Sequence, residues 1–192
     1  MTRTENFEKV EVTAVAQLRD WLETNHMQKQ SIWLVTYKKH AAGKYVSVQE
    51  ILDEVLSFGW IDGIRRKLDD DRTMQLLSPR KTQYWAKSYK DRAARLIEEG
   101  RMRAAGLKAI SEAKRNGLWT YMDDVDALIV PDDLAKALAA RPPAAMCFDA
   151  FAASKRRNIL RWIRLAKTPQ TRASRIEKTA ALAAENKHVP QM

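Results

Sequence analysis

Every stretch that reads as a β-strand lies in the first 80 residues, and beyond Thr82 the apolar spacing is helical throughout. That switch of period restricts the chain to an α+β fold. The expectation is a small, mostly antiparallel sheet with helices in the N-terminal half and an all-helical C-terminal half. Ser31–Tyr37 (SIWLVTY) is rich in β-branched and aromatic residues, as a strand requires. A short strand at Phe7–Val12 and two more at 61–68 and 73–78 complete the set, with Asp69-Asp70-Asp71 as the turn joining the last two. Val15, Leu18, Trp21 and Leu22 recur at helical spacing over 14–25, behind Thr13 as N-cap. Ser47 and Glu50 form a capping box for the next helix, which stops at Gly59.

The later helices are expected near 88–100, 102–116, 132–140, 144–152, 155–166 and 169–184. Thr168-Pro169 supplies a cap-then-first-turn start to the last of them. Residues 1–87 are thus expected as an α+β part and 88–185 as a helical part packed on it as one unit, with 186–192 as a tail.

The chain carries 34 Lys+Arg against 24 Asp+Glu, a formal charge of +10. Residues 154–178 alone hold nine basic side chains and one acid, Glu177. Such a block points to an anionic partner, against the plainer alternative of a solvated helix face. The single cysteine, Cys147, excludes an internal disulfide framework and a four-thiolate zinc site. It sits beside Met146 and Phe148 and is expected as a buried, inert thiol. No apolar run reaches the length of a membrane span, and MTRTENFEKV lacks the apolar stretch of a signal peptide. The expectation is a reduced, cytoplasmic protein without membrane insertion.

The phosphate-loop, dinucleotide, zinc-protease and nucleophile-elbow motifs are all missing. The acidic clusters at 69–71 and 123–126 lack the spacing of a calcium loop and read as turns, so neither metal nor cofactor is expected. Two regions carry candidate chemistry. In the first, Trp60, Asp62 and Arg65 face Ser78, Arg80, Lys81 and Trp85 across the expected hairpin. That set offers a carboxylate, a hydroxyl, guanidinium forks and indoles for an anionic or aromatic ligand. The plainer reading makes the tryptophans core and pairs Asp62 with Arg80 or Arg65. In the second region, Arg157, Arg161 and Arg164 share a helix face. Lys167, Thr171, Arg172 and Arg175 crowd the start of the next helix, where free N–H groups favour anions.

FGWIDG at 58–63, LSPRK at 77–81 with Trp85, GRM at 100–102 and SKRRNILRWIRLAKTPQTRASRI at 154–176 together resemble the YdeI/OmpD-associated, or bacteriocin-protection, family. The likeness runs from about residue 20 to 185. It implies that Trp60, Asp62, Ser78, Pro79, Arg80, Trp85, Trp162, Lys167, Thr171 and Arg172 hold family motif positions. The family often has Ser-x-Trp-Ser where this chain has Gln83-Tyr84-Trp85-Ala86, which puts hydroxyl roles there in question. The resemblance also implies a role in stress or antimicrobial resistance. A chain of this charge would repel cationic peptides, so direct sequestration is not expected.

Three functional readings follow. The first is a non-catalytic protein holding a small anionic ligand or a protein partner at the Trp60–Trp85 set. The second is nucleic-acid or polyanion binding through 154–178. The third is an enzyme with Asp62 as base and Arg80 or Lys81 as oxyanion stabiliser, which lacks an identifiable second proton-transfer group.

Overall fold

The computed structural model describes residues 6–189. The chain divides into two compact units, Met1–Thr120 and Tyr121–Met192. In the first unit β1 (Lys9–Glu11), α1 (Val15–Asn25), β2 (Ile32–Tyr37), α2 (Val48–Ser57), β3 (Trp60–Lys67) and β4 (Arg72–Pro79) precede two helices, α3 (Lys87–Glu98) and α4 (Ala104–Arg115). The change of period beyond Thr82 therefore falls inside this unit, and α3 and α4 belong with the sheet.

The four strands lie in the order β1-β2-β4-β3. β4 runs antiparallel to both β2 and β3, but β1 pairs parallel with β2, Val10 opposite Leu34. The sheet is mixed, which corrects the expectation of a mostly antiparallel one. The reason is the connection: α1 carries the chain back to the end from which β1 set out, so the next strand starts parallel to it. β2 has neighbours on both sides and is buried from Ile32 to Thr36, which explains its unbroken apolar run.

Leu18 and Leu22 of α1 and Ile51, Val55 and Phe58 around α2 pack on Ile32, Leu34, Trp60 and Leu77 of the sheet. A second core joins Leu56 and Trp85 to Ala93 and Leu96 of α3 and Ile110 and Ala113 of α4. The Ser47–Glu50 capping box forms as expected. At α1 the cap is Ala14 rather than Thr13. The Gln17 carboxamide reaches back to accept from the backbone N–H groups of Thr13 and Ala14.

Two glycines fix how α2, β3 and α4 meet. Gly59 has φ +74°, which turns the chain from α2 into β3 at a conformation other residues resist. Gly106 lets α4 press on the end of α2: a Cβ there would stand 2.4 Å from the Ser57 carbonyl oxygen. Without that approach the residues of α4 beyond Gly106 would be pushed away from Trp85.

The second unit contains α5 (Asp123–Asp126), α6 (Asp132–Ala139), α7 (Ala144–Ala150), α8 (Ala153–Arg164) and α9 (Pro169–Ala184). Residues 123–126 form a one-turn helix where a turn was expected. α9 packs against α6, α7 and α8, and Leu134, Leu138, Phe148, Ile159, Ile163, Ile176 and Ala180 are buried. Pro169 opens α9 behind Thr168, whose hydroxyl accepts from the Thr171 N–H at 3.1 Å. Cys147 is half-buried, not the buried thiol expected, because on α7 it falls between the exposed Met146 and the buried Phe148. No described helix is long and apolar enough to cross a membrane.

Candidate functional site

The first unit gathers its polar chemistry at the end of the β3–β4 hairpin. Asp62 and Arg65 are three residues apart and would point to opposite faces of a regular strand. The pairing shifts between them, Asp62 lying opposite Leu77 but Arg65 opposite Gln75. This bulge supplies the extra residue that returns both to one face. There the buried Gln75 carboxamide donates to Asp62 Oδ2 at 2.9 Å and accepts from Arg65 Nη2 at 2.9 Å. The other oxygen of Asp62 accepts from the Tyr89 hydroxyl of α3. Burial, followed by that hydrogen bond, holds the Tyr89 hydroxyl protonated well above the ordinary range.

Arg80 leaves β4 immediately afterwards, its own N–H bound to the Gly59 carbonyl at 3.0 Å. Its guanidinium lies 4.2 Å from the centre of the Trp85 ring and 4.9 Å from that of Tyr89. Nη1 makes long bonds to the Gln83 and Tyr84 carbonyls, at 3.4 and 3.3 Å. Nε and Nη2 are buried with no hydrogen-bond partner, and so is the indole Nε1 of Trp85. Burial pushes the Arg80 pKa down to about 10, against the opposing influence of Tyr89 and Asp62, so it stays charged at neutral pH. Arg80 and Trp85 both line a shallow cleft with Lys81, Gln83, Ala109, Glu112, Ala113 and Leu118. Three buried donors without acceptors and a desolvated positive charge thus lie beneath the lining of this cleft. It is partly open to solvent, and its enclosed space is about that of one water molecule.

The other residues expected here are placed differently. Trp60 is core: it packs edge-on against Trp21 and donates its indole N–H to the His26 carbonyl at 2.9 Å. Ser78 bonds Ser31 across the strands at 2.8 Å. Lys81 is exposed at the rim of the cleft. The structure thus joins Asp62 and Arg65 through Gln75, and separately joins Arg80, Lys81 and Trp85 around the cleft. Tyr89, which stands between the two groups, was not singled out by its helical spacing.

A second polar cluster also escaped the sequence reading. Asp53 and Glu54 of α2 are both buried. Arg19 of α1 grips Glu54 with Nε at 3.0 Å and Nη2 at 2.5 Å. Asp53 accepts from Arg92, and from Arg95 at 2.6 Å. Arg101 touches both carboxylates, at 3.5 and 3.3 Å. Burial pushes the Asp53 carboxyl up, but the hydrogen bonds from Arg95 and Arg92 outweigh it and leave the pKa below the ordinary value. The visible signal was Glu54 itself, a charge three residues after Ile51 on the apolar side of α2. Arg92 also donates to the backbone carbonyl and the carboxamide oxygen of Gln49, so the cluster ties α1, α2, α3 and the 101 turn together and leaves little for a ligand.

In the second unit the basic block is divided. Arg172 forms a fork with Asp133 at 2.7 and 2.9 Å. Arg157 lies 3.9 Å from Asp126, and Arg156 3.4 Å from Asp149. Arg164 stacks over Tyr121 at 4.6 Å, and Arg175 over Trp162 at 4.9 Å while donating to the Trp162 carbonyl. Arg161 Nε and Trp162 Nε1 are buried without hydrogen-bond partners. Lys167 is exposed, and Thr171 shares a 2.8 Å hydrogen bond with the capping hydroxyl of Thr168. Among the described residues there is no group of His, Cys, Asp and Glu fit to hold a metal.

Comparison with known families returns two matches. Residues 10–109 match a model described as a domain of unknown function, DUF8412. Residues 127–186 match the model described as bacteriocin-protection, YdeI or OmpD-associated. The likeness to that second family, expected from about residue 20, is thus shown for the C-terminal segment. FGWIDG, LSPRK and GRM fall within the first match. Neither the curated proteins nor the solved structures contain a match.

Proposed function

Because this chain belongs to the DUF8412 family of domains of unknown function and carries a bacteriocin-protection-type segment, we propose that it acts by binding, with Arg80 recognising an anionic group. The group is a carboxylate or phosphate carried by a small ligand or by a protein segment. The observation that supports this reading is the set of buried, unpartnered N–H donors of Arg80 and Trp85 beneath one cleft, which a small shift of the Arg80 side chain would bring to a ligand. Leaving such donors unsatisfied costs about 1–3 kcal/mol each, so a partner bearing acceptors gains what the free protein lacks. A charged guanidinium matches an oxyanion with two parallel hydrogen bonds. Catalysis is less well supported, because both oxygens of Asp62 already accept hydrogen bonds from Gln75 and Tyr89. The family description of residues 127–186 is what links this binding to resistance against antimicrobial agents.

The test is thermal unfolding with acetate, phosphate, sugar phosphates and nucleotides at fixed ionic strength. A ligand at 100 times its Kd stabilises by about 2.7 kcal/mol, which raises Tm by roughly 5–10 °C for a chain of this size. The rise should vanish in Arg80→Ala. An equal rise in that variant, or none in the parent protein with any anion, overturns the reading.

A further inference from the structure

The sheet of the first unit ends in β3, which pairs with β4 and has no strand beyond it among the described residues. Gly63, Ile64, Arg65, Arg66 and Lys67 are all exposed, so that edge is open to solvent. Next to it, the Leu68 N–H donates to the Arg72 carbonyl at 3.1 Å. In an antiparallel pair bonded residues alternate with unbonded ones, so Arg66, opposite Met74, is the next to bond β4. The N–H and C=O groups of Arg65 and Lys67 therefore point away from the sheet. The opposite edge, β1, is only three residues long.

The side chains along the open edge of β3 are three consecutive cations. Arg65 bonds the neutral Gln75 carboxamide at 2.9 Å, and Arg66 lies 5.3 Å from the centre of the Trp33 ring. Lys67 reaches Asp70 at 2.5 Å, but both groups are largely in water, where such a pair is weak. Two β3 edges set against each other would oppose these like charges, which disfavours self-pairing. A nucleic acid or an anionic membrane would use the cations and leave the outward backbone groups unpaired. An extended chain bearing acids uses both. We infer that the Arg65–Lys67 edge of β3 accepts an extended acidic segment of a partner protein as a further strand of the sheet. Acids on three successive residues of that segment face Arg65 and Lys67 on one side of the sheet and Arg66 on the other. The edge lies at the turn end of the β3–β4 hairpin. Arg80 follows Pro79, opposite Trp60 at the other end, so the inference does not rest on the anion cleft.

The probe is a labelled peptide, Thr-Val-Glu-Glu-Glu-Val-Thr, titrated to millimolar concentration and followed by fluorescence anisotropy and amide hydrogen exchange of the protein. Bound peptide should slow exchange at Arg65 and Lys67 by roughly tenfold or more, while the Arg66 amide, already bonded to β4, changes little. Replacing the peptide's glutamates by lysines, or N-methylating its backbone, should abolish binding. Arg66→Glu/Lys67→Glu should weaken it roughly tenfold while circular dichroism stays unchanged. Several outcomes would overturn the inference. They are no binding of the acidic peptide, equal binding of the lysine or N-methylated peptide, or unchanged exchange at Arg65 and Lys67. Parent-like binding by the double variant, or equally tight binding of duplex DNA at this edge, would do the same.

Discussion

Arg80 and Arg172 are both guanidinium groups, in opposite circumstances. Arg172 meets a carboxylate fork-to-fork on the surface of the second unit. Arg80 is stacked between two aromatic rings, with Nε and Nη2 buried and unbonded. The first arrangement completes itself, whereas the second leaves two nitrogens unbonded. The contrast shows that a basic residue counts toward binding only for the donors that its own protein has left unused. By that measure the densest arginine cluster, around Asp53 and Glu54, is the least available for a ligand.

The largest effect should come from breaking that cluster. Asp53→Ala leaves Arg92, Arg95 and Arg101 without a shared acceptor and should cost about 3 kcal/mol. This is the low end for a buried pair, because Arg95 and Arg101 can turn toward water. Urea unfolding would read it as a lower midpoint, and an unchanged midpoint would deny the cluster its structural role. The same group sets an acid limit. The Asp53 pKa is lowered in the folded state, so its stabilisation is fully present above the unfolded value of ~3.9 and is lost as pH falls through the folded value. Thermal scans from pH 6 down to pH 2 should show Tm falling less steeply in Asp53→Asn than in the parent protein.

Surface pairing predicts a smaller effect. Arg172→Ala should cost only about 0.5 kcal/mol, as exposed ion pairs do, and leave anion binding at Arg80 unchanged. A loss above 2 kcal/mol would mean that the Arg172–Asp133 fork holds the second unit together. Arg80→Met sharpens the comparison most. Methionine can keep an apolar stem against Trp85 and Tyr89 while removing the unpartnered donors. Stability should move by less than ~1 kcal/mol, or rise, while anion binding disappears. A structural arginine would show the reverse, marked destabilisation with binding retained.

The comparison also explains how far the sequence could be read. Strand and helix positions were legible because apolar spacing and caps are local: the Ser47–Glu50 box, the Asp69–Asp71 turn and the Thr168-Pro169 start all form where the residues place them. The parallel pairing of β1 was not legible, since it depends on where α1 returns the chain. Arg80 was named from sequence and keeps unbonded donors, but Trp60 and Trp85, named with it, are both core, Trp60 under the sheet and Trp85 between α3 and α4.

By itself, then, the sequence determined the α+β class, the caps and turns, and the concentration of positive charge at 154–178. Those depend on neighbours a few residues apart. Tertiary structure alone decided which charges are cancelled, because Asp133 reaches Arg172 across 39 residues and Asp53 reaches Arg92 across the same span. It also decided which donors stay unused at Arg80, since hydrogen-bond satisfaction belongs to the assembled unit and not to any segment of the chain.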